Sequence, residues 1–204
     1  MVRRVALERA GCSDDRIAGI DEVGRGPWAG PVVAAAVMLK GALPEAVARR
    51  IDDSKKLNAA TRESIYNALA SHASIGIGQA SVDEIDTLNI LKATHLAMQR
   101  AVAALGFVPS RAMVDGNSLP DLPCPATPVI GGDALVLEIA AASIVAKVSR
   151  DRLMATLGAA RPGYGWERNA GYGTAEHRAG IERHGVTLYH RRSFAPIRAF
   201  LQGS

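Results

Sequence analysis

Ile17-Ala18-Gly19-Ile20-Asp21-Glu22-Val23-Gly24-Arg25-Gly26-Pro27 carries the most information in this chain. An apolar segment of strand-like composition delivers two adjacent carboxylates, and a glycine-arginine-glycine turn follows. Unpaired charge resists burial, so two acids at a strand end serve packing badly. Their oxygens suit a hard cation such as Mg²⁺. The two glycines let the backbone approach a ligand closely, and Arg25 adds a positive charge suited to phosphate. The stretch points to metal-dependent chemistry on a phosphate. Side chains alternate along a strand, so Asp21 and Glu22 face opposite ways unless the chain begins to turn at Glu22. Asp21 is therefore the firmer ligand of the two.

Working outward, residues 31–39 form a continuous apolar run rich in valine and alanine, a buried second strand. The short turn between the two runs makes them antiparallel neighbours. A helix is expected over 59–71 with Ile65 and Leu69 inward, and a third strand over 74–80. Asn89 reads as the N-cap of a helix with Leu91, His95, Met98, Val102 and Leu105 on one stripe, stopping at Gly106. A short strand over 111–115 ends in Asp115-Gly116-Asn117, and another follows around Val129-Ile130. Gly131-Gly132-Asp133 is expected to open a long alanine-rich helix to about Leu157, and a shorter helix starts near Thr174. This order implies an α/β fold, a mixed sheet flanked by helices with a helical C-terminal part (about 159–204) after a core over about 17–158.

At 204 residues with 48% apolar and 22% charged content, one globular domain spanning 1–204 is expected. No long apolar run follows the basic start, so neither a secretory signal nor a membrane span is read and the cytoplasm is the expected compartment. Cys12 and Cys124 lack any metal-ligand spacing. The net charge of +4 permits nucleic-acid binding without establishing it, and pairs such as Arg49-Arg50 and Arg191-Arg192 read first as solvated surface. Aromatics at 4% exclude an extended base-stacking platform. Neither a P-loop nor a dinucleotide fingerprint is present.

Asp21, Asp115 and Asp133 each sit where an apolar strand or a glycine turn gives way, the place where ligand sites gather in open sheets. Singly, each has a plain alternative: surface charge, a turn, a helix N-cap. Three such coincidences favour one acidic cluster. Asp133, Ala140 and Lys147, two helical turns apart, share a face with Ser143 nearby. Ser143, Lys147 and Arg150 offer that face to a phosphate backbone, or the two cations simply complement the helix dipole.

The segment from Gly19 to Ala35 closely resembles the N-terminal signature of bacterial ribonuclease HII. Further matches follow in family order: Asp53-Ser54-Lys55-Lys56-Leu57, Val114-Asp115-Gly116-Asn117, Gly132-Asp133, the run from Ala141 to Asp151, Gly171-Tyr172-Gly173-Thr174 and His190-Arg191-Arg192-Ser193-Phe194. The resemblance spans about residues 17–198. It implies a ribonuclease H-like fold with a five-stranded mixed sheet. It also implies an endonuclease that cuts the RNA strand of RNA–DNA hybrids and incises at single ribonucleotides in duplex DNA. On this resemblance Asp21, Glu22, Asp115 and Asp133 match the acidic site for Mg²⁺ or Mn²⁺, two ions acting together. Gly24-Arg25-Gly26 matches the turn that senses the 2′-hydroxyl, and Tyr172 the tyrosine that stacks on the deoxyribose beyond the cut. Lys55, Ser143 and Lys147 fall in segments facing the nucleic-acid backbone.

Two positions depart from the pattern. Gly131 stands where many relatives carry lysine, and Trp28 where a smaller apolar residue is common. A monomer is expected. The competing readings are a non-cleaving hybrid-binding module of the same fold and the sister ribonuclease HIII. The latter usually has an extra N-terminal domain, for which about sixteen residues before the first strand leave no room.

Overall fold

A computed structural model describes residues 16–51 and 57–203. The strands β1 (Ile17–Val23), β2 (Val32–Leu39), β3 (Ala73–Ala80), β4 (Arg111–Asp115) and β5 (Ala126–Val129) form one mixed sheet in the order β3-β2-β1-β4-β5. β1 and β2 are antiparallel, as the short turn between them requires, whereas β4 joins β1 in parallel and β5 joins β4 in parallel. The five-stranded mixed sheet matches the expected fold class.

Helices cover both faces, which is why β2 reads as an unbroken apolar run rather than an alternating one. On one face Ile20, Val32, Ala34 and Val114 pack against Ala97, Met98 and Val102 of α4 (Ile90–Ala103). On the other, Ala35 and Val37 pack with Ile65 and Leu69 of α2 (Ala59–His72) and with Ala141, Ile144 and Val145 of α5 (Leu137–Ala160). Two further helices, α1 (Glu45–Ile51) and α3 (Val82–Leu88), are too short to leave a clear helical period in the sequence. Ser81 and Glu84 nevertheless form a capping box at the start of α3.

The expected stripe on α4 is displaced. Its buried face is Ala93, Thr94, Ala97, Met98, Ala101 and Val102, while Leu91 is exposed. Alanines line the core because the helix lies almost on the sheet: a Cβ on Gly78 would come within 2.2 Å of the Ala97 carbonyl oxygen. The long helix also differs. Residues Gly132–Ala134 form a separate 3₁₀ turn, and α5 begins only after Val136, which is extended. Asp133 therefore does not cap α5, and it does not share a helical face with Ala140 and Lys147. The last strand ends at Val129, leaving Ile130 exposed outside it.

The C-terminal part is helical as expected, with α6 (Trp166–Asn169), α7 (Ala175–His184, capped by Thr174) and α8 (Ala195–Gln202). Trp166, Tyr164, Ile181 and Ile197 form its core and enclose Ala29 and Met154, which joins this part to the β1–β2 turn. Among the described residues no helix is long and apolar enough to cross a membrane.

Candidate active site

Asp21 and Asp115 occupy the ends of adjacent parallel strands. The register pairs Ile20 with Val114, so the next residue on each strand is an aspartate. Ile20 and Val114 both belong to the α4-side core, and alternation turns the two aspartates toward α5. Gly19 lets α5 begin there, since a Cβ on it would lie 2.1 Å from the Glu138 backbone carbon. From that point α5 follows β1 in the same direction. Ser143 hydrogen-bonds the Asp21 carboxylate, and Arg150 lies under Gly24, where a Cβ would meet its Nε at 2.2 Å.

Asp115 brings in the next acid. Its Oδ1 accepts the backbone N–H of Gly132 at 2.7 Å, which fixes the 3₁₀ turn carrying Asp133 against the end of β4. Gly116 N–H, bonded to the Val129 carbonyl at 3.0 Å, closes the same corner. Asp21, Glu22 and Asp115 act on one another electrostatically at this end of the sheet, and the Gly132 bond brings the backbone of Asp133 to the same corner. Glu22 pairs in register with Ala34, on the α4-side face, so it leans to the other side of β1 from Asp21.

Electrostatics at this edge are those of carboxylates short of counter-charge. Burial, then the neighbouring Glu22, then Asp115 push the Asp21 carboxyl up to about 8 against the pull of Ser143. Burial also raises Glu22, offset by Arg25, whose Nη1 donates to Glu22 Oε1 at 3.3 Å. Among the described residues no three Asp, Glu, His or Cys side chains are arranged to hold a metal ion as they stand. The donor set nevertheless fits a hard divalent cation: oxygen only, partly desolvated, and destabilised by its own negative charge. Repulsion is relieved here by turning Glu22 onto Arg25 and Asp115 onto a backbone amide.

The Gly24-Arg25-Gly26 turn leads away from Glu22, with Arg25 and Gly26 exposed and Gly24 buried at φ 94°. Tyr172 stands beside it. A Cβ on Gly26 would sit 3.5 Å from Tyr172 Cε1, and Tyr172 is 46% exposed. Trp28 lies against the neighbouring Gly173 so closely that a Cβ there would fall 2.1 Å from its indole, so the larger residue at position 28 props the Tyr172 loop. Lys147 pairs with Asp151 at 2.7 Å on the half-exposed side of α5. Lys55 lies outside the described residues.

Ser143 is bonded to an acidic side chain. Two expectations need correction. Arg150 is buried and holds the carbonyl oxygens of Ala29, Pro31 and Ala170, so it has no face to offer phosphate. Arg191, half of a pair read as solvated surface, is also buried. Two buried histidines, His177 and His190, have no role readable in the sequence. Thr187 N–H donates to His190 Nδ1 (2.9 Å), so His190 carries its proton on Nε2 and donates to His177 Nε2 (3.1 Å). That nitrogen also accepts from Trp166 Nε1 (3.0 Å), which leaves His177 Nδ1–H to donate to the Tyr172 carbonyl at 2.9 Å. The sequence signals for these groups are that Arg150 falls in the run from Ala141 to Asp151 and that His190 and Arg191 share one motif, because burial of a basic residue leaves no periodic trace.

A family model described as ribonuclease HII matches residues 18–197. The ribonuclease HII of Rhodospirillum rubrum is 59% identical over 203 residues, covering 98% of this chain and 92% of that protein. Among solved structures, ribonuclease H2 from Pyrococcus horikoshii OT3 superposes with a TM-score of 0.73 at 24% identity, covering 92% of this chain and 97% of that one. Bst-RNase HIII in complex with Mn²⁺ gives 0.74 at 20% identity, covering 91% and 69%. Both share the fold.

Proposed function

The chain belongs to the ribonuclease HII family, and on that premise we propose that it incises duplex DNA on the 5′ side of an embedded ribonucleotide, as well as the RNA strand of hybrids, at a site built on Asp21, Glu22, Asp115 and Asp133. The observation that carries this reading is a juxtaposition. The end of β1 carries Asp21 and Glu22 and, within three residues, leads into a glycine turn that stands against the exposed Tyr172. A cutting centre beside a sugar-reading pair is what junction cleavage requires.

Divalent ions, Mg²⁺ or Mn²⁺, would be held by the four carboxylates and would supply water activation and charge stabilisation on the leaving oxygen. The chain's own groups do the rest. Ser143 keeps the Asp21 carboxylate turned toward α5, and Arg25 keeps Glu22 at the rim. Backbone amides of the turn contact the 2′-hydroxyl, the atom that separates RNA from DNA. Tyr172 stacks on the next sugar, a placement that favours one without a 2′-hydroxyl. Lys147 lies where the phosphate backbone passes, exchanging Asp151 for phosphate, and Lys55 serves the same backbone. Hydrolysis adds one water across the P–O3′ bond, leaving a 3′-hydroxyl and a 5′-phosphate.

We take the chain to act as a single catalytic domain, a monomer, in the cytoplasm. The test is a labelled duplex holding one ribonucleotide, incubated with EDTA, Mg²⁺ or Mn²⁺. Cutting only with metal, 5′ of the ribonucleotide and with those end groups, supports the reading. An uncut duplex that is still bound would instead mark a non-cleaving binding module.

A further inference from the structure

Arg191 has no solvent exposure, and its guanidinium is bonded to the backbone of the loop that follows β1. Nη2 donates to Gly24 O at 2.5 Å and to Gly30 O at 2.8 Å, Nε to Gly30 O at 2.9 Å, and Nη1 to Arg25 O at 2.9 Å. A buried cation is costly unless it is fully bonded, and replacing such a group by apolar side chains is often neutral for stability. Its use on carbonyls of two successive residues therefore calls for a reason beyond packing.

Peptide planarity supplies one. In a trans peptide the carbonyl and the following N–H point in opposite directions. Drawing the Gly24 and Arg25 oxygens inward onto Arg191 turns the N–H groups of Arg25 and Gly26 outward. Among the described residues neither N–H has a protein acceptor. Pro27 follows and has no N–H, and Gly24 is buried, so these two are the exposed backbone donors of the turn. Bonding a carbonyl to a cation also polarises the peptide and strengthens the N–H on its far side. The loop is braced from both ends. Asp86 of α3 accepts the N–H groups of Arg192 and Ser193 at 2.9 Å, and Arg150 fastens Ala29 and Pro31 to Ala170, two residues before Tyr172.

We infer that Arg191 is a positioning residue for 2′-hydroxyl recognition, holding the Gly24 and Arg25 carbonyls inward so that the Arg25 and Gly26 amides stand as paired donors beside Tyr172. The inference rests on the reading of this turn as the 2′-hydroxyl sensor. It concerns how the sensor is oriented and touches neither the acids nor the hydrolytic step.

The experiment is a binding cycle in EDTA, where no strand is cut, using two fluorescent duplexes that differ in a single 2′-hydroxyl. Wild type should prefer the ribonucleotide duplex by about tenfold, the worth of one good hydrogen bond. Arg191→Lys and Arg191→Gln should lower that preference to within about twofold of unity while the affinity for the all-DNA duplex stays put. A merely structural role would weaken both duplexes together and keep their ratio. If wild type shows no preference, the sensor reading itself fails. If wild type discriminates and the folded variants discriminate equally, the role of Arg191 is overturned. Should neither variant fold, NMR of the wild-type protein decides. The Arg25 and Gly26 amide protons must shift downfield with the ribonucleotide duplex only, and the Arg191 Nε–H must be protected from exchange. Absence of either result overturns the inference.

Discussion

Gly132 N–H donates to Asp115 Oδ1 at 2.7 Å, so one carboxylate both faces the acidic edge and holds the turn that presents Asp133. The two jobs separate by mutation. Asp115→Asn keeps an oxygen for Gly132 and removes the charge, whereas Asp115→Ala leaves a buried N–H unpaired, a loss of about 1–3 kcal/mol. Both variants should lose metal-dependent cleavage, but only Asp115→Ala should melt markedly earlier. Equal melting temperatures for the two would show that the bond does not organise the turn.

Asp21 gives the metal-free protein a pH dependence of unusual sign. The unfolded carboxyl ionises near 3.8 and the folded one near 8, so between these values the folded state holds the extra proton. Stability from this group is therefore lost as pH rises. Between about pH 6.5 and 8 wild type in EDTA should become less stable, and Asp21→Asn should flatten that limb while abolishing cleavage. Divalent ions should restore stability at pH 8. A denaturant series at several pH values, with and without Mn²⁺, measures all three.

The framework of this site was legible for physical reasons. Strands β1, β2 and β4, and the acids near the ends of β1 and β4, are legible because apolar runs and carboxylates carry a local signature. Asp133 lies in a separate turn and not, as its glycine-rich approach suggests, at the start of the long helix. Only the structure shows that Val136 interrupts the helical path and that Asp115 holds the turn. Arg150, Arg191, His177 and His190 were illegible in kind, since nothing in a basic residue's neighbours tells whether its partners are water or carbonyls remote in sequence.

The histidine pair should set the acid limit of stability. Burial and the adjacent His177 hold His190 down to about 4, and burial lowers His177 too, against an ordinary value of 6.5. The folded state here favours the neutral rings, so their stabilisation is complete above about pH 6.5 and is lost as pH falls toward 4, opposite in sign to Asp21. Protonation would also set two N–H groups against each other at the 3.1 Å contact. Exchanging His190 for Asn should shrink the difference in denaturation midpoint between pH 7 and 5. An unchanged difference would exclude the pair as its source.

Tyr172 should matter for substrate choice far more than for folding. The residue is nearly half exposed, so Tyr172→Ala should change stability by less than about 1 kcal/mol. If the ring stacks on a sugar, the same change should slow incision at a single ribonucleotide by roughly tenfold or more, and Tyr172→Phe should keep most activity. Cleavage rates on single-ribonucleotide and long-hybrid substrates provide the measurement, with the larger loss expected on the former.

Gly131 offers a gain-of-binding test. Its φ of 65° lies in the left-handed region, and a Cβ placed on it would meet no atom within 4 Å. Gly131→Lys should therefore fit sterically, at a conformational cost of about 1 kcal/mol. The new ammonium would project from the turn beside Asp133, where the phosphate backbone is expected to pass. Affinity for hybrid should rise at low salt, and the slope of log affinity against log salt should steepen by about one unit. Gly131→Ala separates the two effects, because it carries the same backbone cost without the charge. If the lysine variant binds no better than the alanine one and shows the same salt slope, the backbone does not run past this turn.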